Sequence, residues 1–237
     1  GATRGQAAQI SNSALMNSAG SYAELSKNLA DLNAGKIDLT SPWFKGVADI
    51  YVKLRTAGCF PDSPTGVTEA SALNLFATGK SPILPTGTFS MGAVKALNPA
   101  LTGKMNLMSM VLTDGKVIAE GIMNNTFNLS VNAKSTSTNQ KIALSFLSYL
   151  ATGPVAAIYG NATTQHVNVL DVNYTNVDLL NTSPFQGKNT MLAPRFLILN
   201  TAVSDLTQDA LIQIVGGKNT DDVLADFSKQ IKQKLAG

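Results

Sequence analysis

Few residues of this 237-residue chain could carry covalent chemistry. There is one histidine, His166 in TTQHVNV, and one cysteine, Cys59 in AGCFP. A serine hydrolase needs a nucleophile on a Gly-x-Ser-x-Gly elbow and a histidine base, and no such serine is present. A phosphate loop needs Gly-x-x-x-x-Gly-Lys-Ser/Thr. Thr78, Gly79, Lys80 and Ser81 supply only its tail, after a helical pattern where a strand is required. A metal site needs three or four converging donors, which one histidine and one cysteine do not provide, so neither metal nor cofactor is expected. The carboxylates of Glu69, Asp221 and Asp222 fall in the first turns of predicted helices, where they complement the dipole. That is the favoured reading over a glycosidase pair. The expectation is a protein with no catalytic residues, one that binds rather than reacts.

Composition narrows the partners. Hydrophobic residues make up 44% and charged residues 14%, the balance of a globular chain rather than a disordered one. The net charge of +3 comes from scattered lysines and three arginines, Arg4, Arg55 and Arg195. Nucleic acid requires a concentrated basic face beside stacking aromatics, so no nucleic-acid partner is expected. Asn, Ser and Thr dominate the polar vocabulary and suit a neutral, hydroxyl-rich ligand. The longest apolar run, 142–159, is interrupted by Ser145, Ser148, Thr152, Gly153 and Pro154, which predicts two short core helices rather than a membrane span. Cys59 excludes an internal disulfide and is expected to be a buried small hydrophobe.

The elements that must position any site alternate between helices and short strands. Ser41 as N-cap and Pro42 at the first helical position open a helix with Trp43, Val47, Ile50 and Leu54 on one face, stopped by Gly58. Thr68 caps the next, with Ala72, Leu75 and Phe76 inward and Gly79 at its end. Strands are predicted over 81–85, 106–112 and 127–131. Asn139 is predicted to cap a helix running to Leu150, and further helices cover 155–159, 203–215 and 221–235. Val223, Leu224, Phe227 and Ile231 form the buried stripe of the last, with Lys229, Lys232 and Lys234 near its C-terminus. No internal repeat or low-complexity linker interrupts this pattern.

Three stretches carry a resemblance. Residues 69–89 (EASALNLFATGKSPILPTGTF) resemble the "F..GKAAM...G.W" segment of extracellular solute-binding proteins of ABC importers, the maltodextrin-binding type. Residues 128–152 (NLSVNAKSTSTNQKIALSFLSYLAT) look like that family's strand and following helix, and 214–231 (IVGGKNTDDVLADFSKQI) look like its closing helix. Their order and spacing match the second half of such a protein. The resemblance implies a type II periplasmic-binding-protein-like α/β fold. Residues 1–126 and 180–237 would build the second lobe, and 127–179 would cross the hinge into the first. It also implies a missing first lobe, supplied by another segment or chain. A carbohydrate ligand captured between lobes, ABC permease subunits as partners, and an extracellular or periplasmic location with an upstream membrane anchor follow from the same likeness.

The resemblance also implies site residues. Phe89, after Gly87 and Thr88, stands at the position of the aromatic that stacks on a sugar ring; its other reading is a core residue. Asn124 and Asn125, with Thr126, occupy the place of a hinge-adjacent Gly-Gly and offer amide donors and acceptors instead. Gln9, Asn12 and Asn17 fall in a cleft segment that has no aromatic here. Arg195, preceding Phe196, is read either as a contact to a ring hydroxyl or an acidic sugar, or as a surface ion pair. His166 is read as a hydrogen-bonded loop residue or a sugar contact. The apolar face of the helix with Ile142, Ala143, Phe146, Leu147 and Leu150 is expected to pack on the first lobe, and without it to leave a large patch in water.

Overall fold

The computed structural model describes residues 4–108, 121–123, 128–182 and 190–236, with side chains from residue 7 onward. Two compact units emerge. One comprises Gly1–Pro85, Met108–Met123 and Gly187–Gly237, and the other Thr86–Leu107 and Asn124–Gln186. The described residues are mostly helical around one short parallel strand pair, compatible with the α/β class.

In the first unit, helix α1 (Arg4–Ala19) packs against α2 (Tyr22–Asn33), α3 (Pro42–Thr56) and α9 (Thr201–Val215), and α9 packs on α10 (Thr220–Ala236). Helix α1 has no apolar stripe, because it is enclosed on nearly every side and uses Ala8, Ser11, Asn12 and Ala14 to let its neighbours approach closely. Ser11 Oγ donates to the Ala8 carbonyl at 2.9 Å. Gly20, with φ of +74°, breaks α1 from α2. Ser21 then caps α2 by accepting from the Glu24 N–H, and Leu25, Leu29 and Leu32 turn inward. Helix α3 follows its predicted start, with Pro42 at its first position and Ser41 accepting from the Phe44 N–H. It buries Trp43, Phe44, Val47, Ile50 and Tyr51, while Trp43 Nε1 donates to the Leu15 carbonyl and the Tyr51 hydroxyl to that of Ala7. Helix α4 (Glu69–Ala77) has Thr68 as cap and Gly79 in the left-handed conformation. The stripe of α10 is buried as predicted at Val223, Leu224, Phe227 and Ile231.

Strands β1 (Gly121–Met123) and β2 (Thr190–Leu192) pair in parallel, with Ile122 opposite Met191. Parallel pairing requires a crossover, and the chain between them carries most of the second unit. That unit contains α5 (Met91–Leu97), α6 (Ser137–Leu150), α7 (Gly153–Thr163) and α8 (Val177–Thr182). Asn161 organises the loop between α7 and α8: its Oδ1 accepts from the Thr175 and Asn176 N–H groups, and its Nδ2 donates to the Asn173 carbonyl.

Several sequence expectations are corrected. Residues 81–85 form no strand, because Pro82 and Pro85 remove two ladder donors and Ser81 Oγ instead donates to the Ile83 carbonyl. Residues 106–108 and 128–131 are irregular; the remainder of those two predicted strands lies outside the described residues. The cap of α6 is Thr136, which accepts from the Asn139 N–H, rather than Asn139 itself. Cys59 is exposed, since Gly58 in the left-handed conformation turns the chain outward after α3.

Candidate functional site

The predicted site residues fall into separate groups. Gln9, Asn12 and Arg195 belong to the first unit, whereas Gly87, Thr88, Phe89 and His166 belong to the second. Asn124 and Asn125 lie outside the described residues.

In the first unit the structure joins Asn12 to Arg195, residues 183 positions apart. The Arg195 N–H donates to Asn12 Oδ1 at 3.2 Å, which orients the Asn12 amide with its NH2 away from that bond. Arg195 is the second residue of a 3-10 turn, Pro194–Leu197, which follows the carboxyl end of β2 after Ala193, and the turn packs on α1. The neighbouring strand end is fastened to it, with the Ala193 N–H donating to the Met123 carbonyl at 3.0 Å. The Arg195 guanidinium lies over the Phe196 ring, 4.6 Å from its centroid, and Phe196 is exposed. Asn12 is fully enclosed, and Gln9, one turn earlier on α1, is half-buried. Burial lowers the Arg195 pKa from its ordinary value, and none of the described carboxylates pairs with it.

The second unit holds the Phe89 turn. Thr88–Ser90 form a 3-10 turn that leads into α5, braced by a 2.6 Å hydrogen bond between the Thr86 and Ser90 hydroxyls. The Phe89 ring folds back over Gly87 and is 37% exposed, so it is not enclosed in a core. A Cβ at position 87 would stand 2.6 Å from a ring carbon. Glycine is required there for close approach; its backbone is ordinary extended chain. Helix α5 is then held by a buried acid. Asp178 is fully enclosed, its Oδ1 accepts from the Gly103 N–H at 2.9 Å, and Lys95 Nζ of α5 is 3.0 Å from its Oδ2. The ammonium is near enough for a Coulombic pair but out of line for a hydrogen bond. Sequence reading passed over Asp178, whose one signal was an acid opening a short helix.

His166 is half-buried, edge-on to Tyr174 at 5.0 Å between centroids. The Thr182 hydroxyl donates to the Leu179 carbonyl, so it accepts from His166 Nε2–H, leaving Nδ1 enclosed without a partner among the described residues. Burial holds the His166 pKa below its ordinary value of 6.5. Unfolded chains therefore bind a proton that the folded unit resists, and stability should fall as the pH drops through 6.5 towards the depressed folded value. Thermal melts between pH 7.5 and 5 should show this loss, and His166→Gln should flatten it; an unchanged slope in the variant would remove His166 as its source. No group of three His, Cys, Asp or Glu side chains converges among the described residues. No model of a known protein family matches the chain, and no curated protein matches it.

Proposed function

We propose that the chain is the solute-binding component of an ABC importer, with a type II periplasmic-binding-protein-like fold, capturing a sugar or oligosaccharide between two lobes for delivery to a membrane permease. The observation that carries this reading is the half-open Phe89 ring over Gly87, an aromatic plate at the position where the resembled family stacks a sugar. A sugar presents a flat face of C–H groups and a rim of hydroxyls, and such a plate beside hydroxyl and amide side chains complements both. Capture by hinge closure involves no covalent step, in keeping with a chain poor in nucleophiles and bases. The location proposed with it is extracellular or periplasmic.

Helix α6 supports the expected first lobe. None of its side chains is buried, Ile142, Leu144, Phe146 and Tyr149 are each more than half exposed, and Lys141 is its one charged residue. A helix of that composition ordinarily lies under cover, which the proposal assigns to the first lobe. No single helix among the described residues is long and apolar enough to cross a membrane, and α6 and α7 meet at 68°. A surface-interaction or structural protein that retains the lobe without transport is the alternative.

The test is ligand-dependent thermal stabilisation across a panel of mono- and oligosaccharides. A bound sugar at about 100 times its Kd should add about 2.7 kcal/mol. Aryl glycosides and esters should not be turned over. Turnover abolished by one point substitution, or a flat melting temperature across the panel, would overturn the proposal.

A further inference from the structure

The cluster at the end of β2 contains donors and lacks acceptors. Arg195 Nε and Asn12 Nδ2 are both enclosed and without a hydrogen-bond partner among the described residues. They belong to residues tied together by the 3.2 Å bond from the Arg195 N–H to Asn12 Oδ1, which uses the only acceptor the Asn12 side chain has. Buried polar groups in folded proteins are nearly always paired, and each orphaned donor calls for an acceptor. Several described lysines pair with acids, among them Lys27 with Asp31, Lys45 with Asp221, Lys95 with Asp178 and Lys232 with Asp38. Among the described residues no carboxylate matches the charge of Arg195, which is partly buried and faces an aromatic ring.

We infer that this cluster of the first unit binds a carboxylate, that of an acidic sugar such as a uronate rather than a neutral one. The inference concerns the first unit alone and takes from the sugar-binding reading above only that the ligand is a sugar. The guanidinium is the recognition element, since its planar fork matches two carboxylate oxygens. Phe196 steadies the guanidinium by a cation–π contact, its ring centroid 4.6 Å away. Asn12 is a positioning residue: it fixes the backbone of Arg195 from within α1, and its free amide hydrogens keep the enclosed side of the cluster rich in donors. The site also explains why burial of Arg195 is tolerated without a protein acid, because the ligand supplies the counter-charge.

The experiment compares galacturonate and glucuronate with galactose and glucose by isothermal titration, on the wild type and on Arg195→Gln, with acetate as a carboxylate that is not a sugar. The substitution leaves the backbone bond to Asn12 in place, and a circular-dichroism melt checks that the variant folds. Uronates should bind at least ~10-fold more tightly than the neutral hexoses, as a charge-assisted bond implies, and Arg195→Gln should erase the difference. Arg195→Lys should recover part of it, since the charge returns without the fork. Equal affinity for acidic and neutral sugars, unchanged in Arg195→Gln, would overturn the carboxylate inference and leave the sugar reading standing. Binding of acetate with no binding of any sugar would do the reverse. No binding by any of the five compounds would overturn both.

Discussion

Asp178→Ala should destabilise the second unit by about 3 kcal/mol, the lower end of the cost of removing one partner from a buried ion pair. The lower end applies because Lys95 is 23% exposed and can turn towards water, whereas Asp178 has no exposed surface. The loss has two parts: the Gly103 N–H is left without its acceptor, and α5 loses the attachment of Lys95. Since α5 begins one residue after the Phe89 turn, the effect should reach the proposed sugar plate. Hydrogen exchange is the suitable measurement, because two compact units make a single global transition a poor assumption. Amides of α5 and α8 should lose about 100-fold in protection, the equivalent of that energy, while α3 and α9 of the first unit keep theirs. Asp178→Asn should fall between, as it retains the acceptor and drops the charge. Unchanged protection in α5 would show that the ion pair does not hold the turn.

Phe89→Ala should weaken binding of the proposed sugar by about 1 to 3 kcal/mol, roughly 5- to 150-fold in Kd, through the loss of an aromatic contact and its area. Thermal stability should change by less than about 0.5 kcal/mol, as for other surface substitutions, because the ring rests on its own turn and is 37% exposed. Gly87→Ala should act in the same direction without deleting the ring. Its new Cβ would stand 2.6 Å from a ring carbon, so the plate must move. Titration calorimetry on the two variants separates placement of the ring from its presence. A Phe89→Ala protein that fails to fold would favour the core reading and remove the plate from the account.

Elements with punctuation were legible in the sequence. Ser41-Pro42, Thr68 with Gly79, and the apolar stripe of α10 specify their helices through local chemistry, and the structure places these elements within a few residues of the expected bounds. Helix α1 was not legible, because periodicity marks a helix with one wet face and α1 has almost none. Helix α2 did carry a signal: Ser21 three residues before Glu24, then leucines at 25, 29 and 32. The short strands failed for the opposite reason. Three residues of parallel pairing at 121–123 and 190–192 depend on partners almost seventy positions apart, which no local pattern encodes. Long-range pairing also explains the site. Arg195 and Asn12 were each readable as polar residues of interest, but the hydrogen bond between them and the orphaned donors beside it exist only in the folded chain.

The most direct test of sugar capture by these residues is heteronuclear NMR during titration with a uronate, following the Arg195 Nε–H and the Phe89 ring resonances. Within the second unit the Phe89 ring protons should move along a saturable curve as a sugar face covers them, and within the first unit the Arg195 Nε–H should move along its own saturable curve as it gains an anionic neighbour. Saturation of a shift elsewhere on the chain, with both of these signals unmoved, would contradict the account.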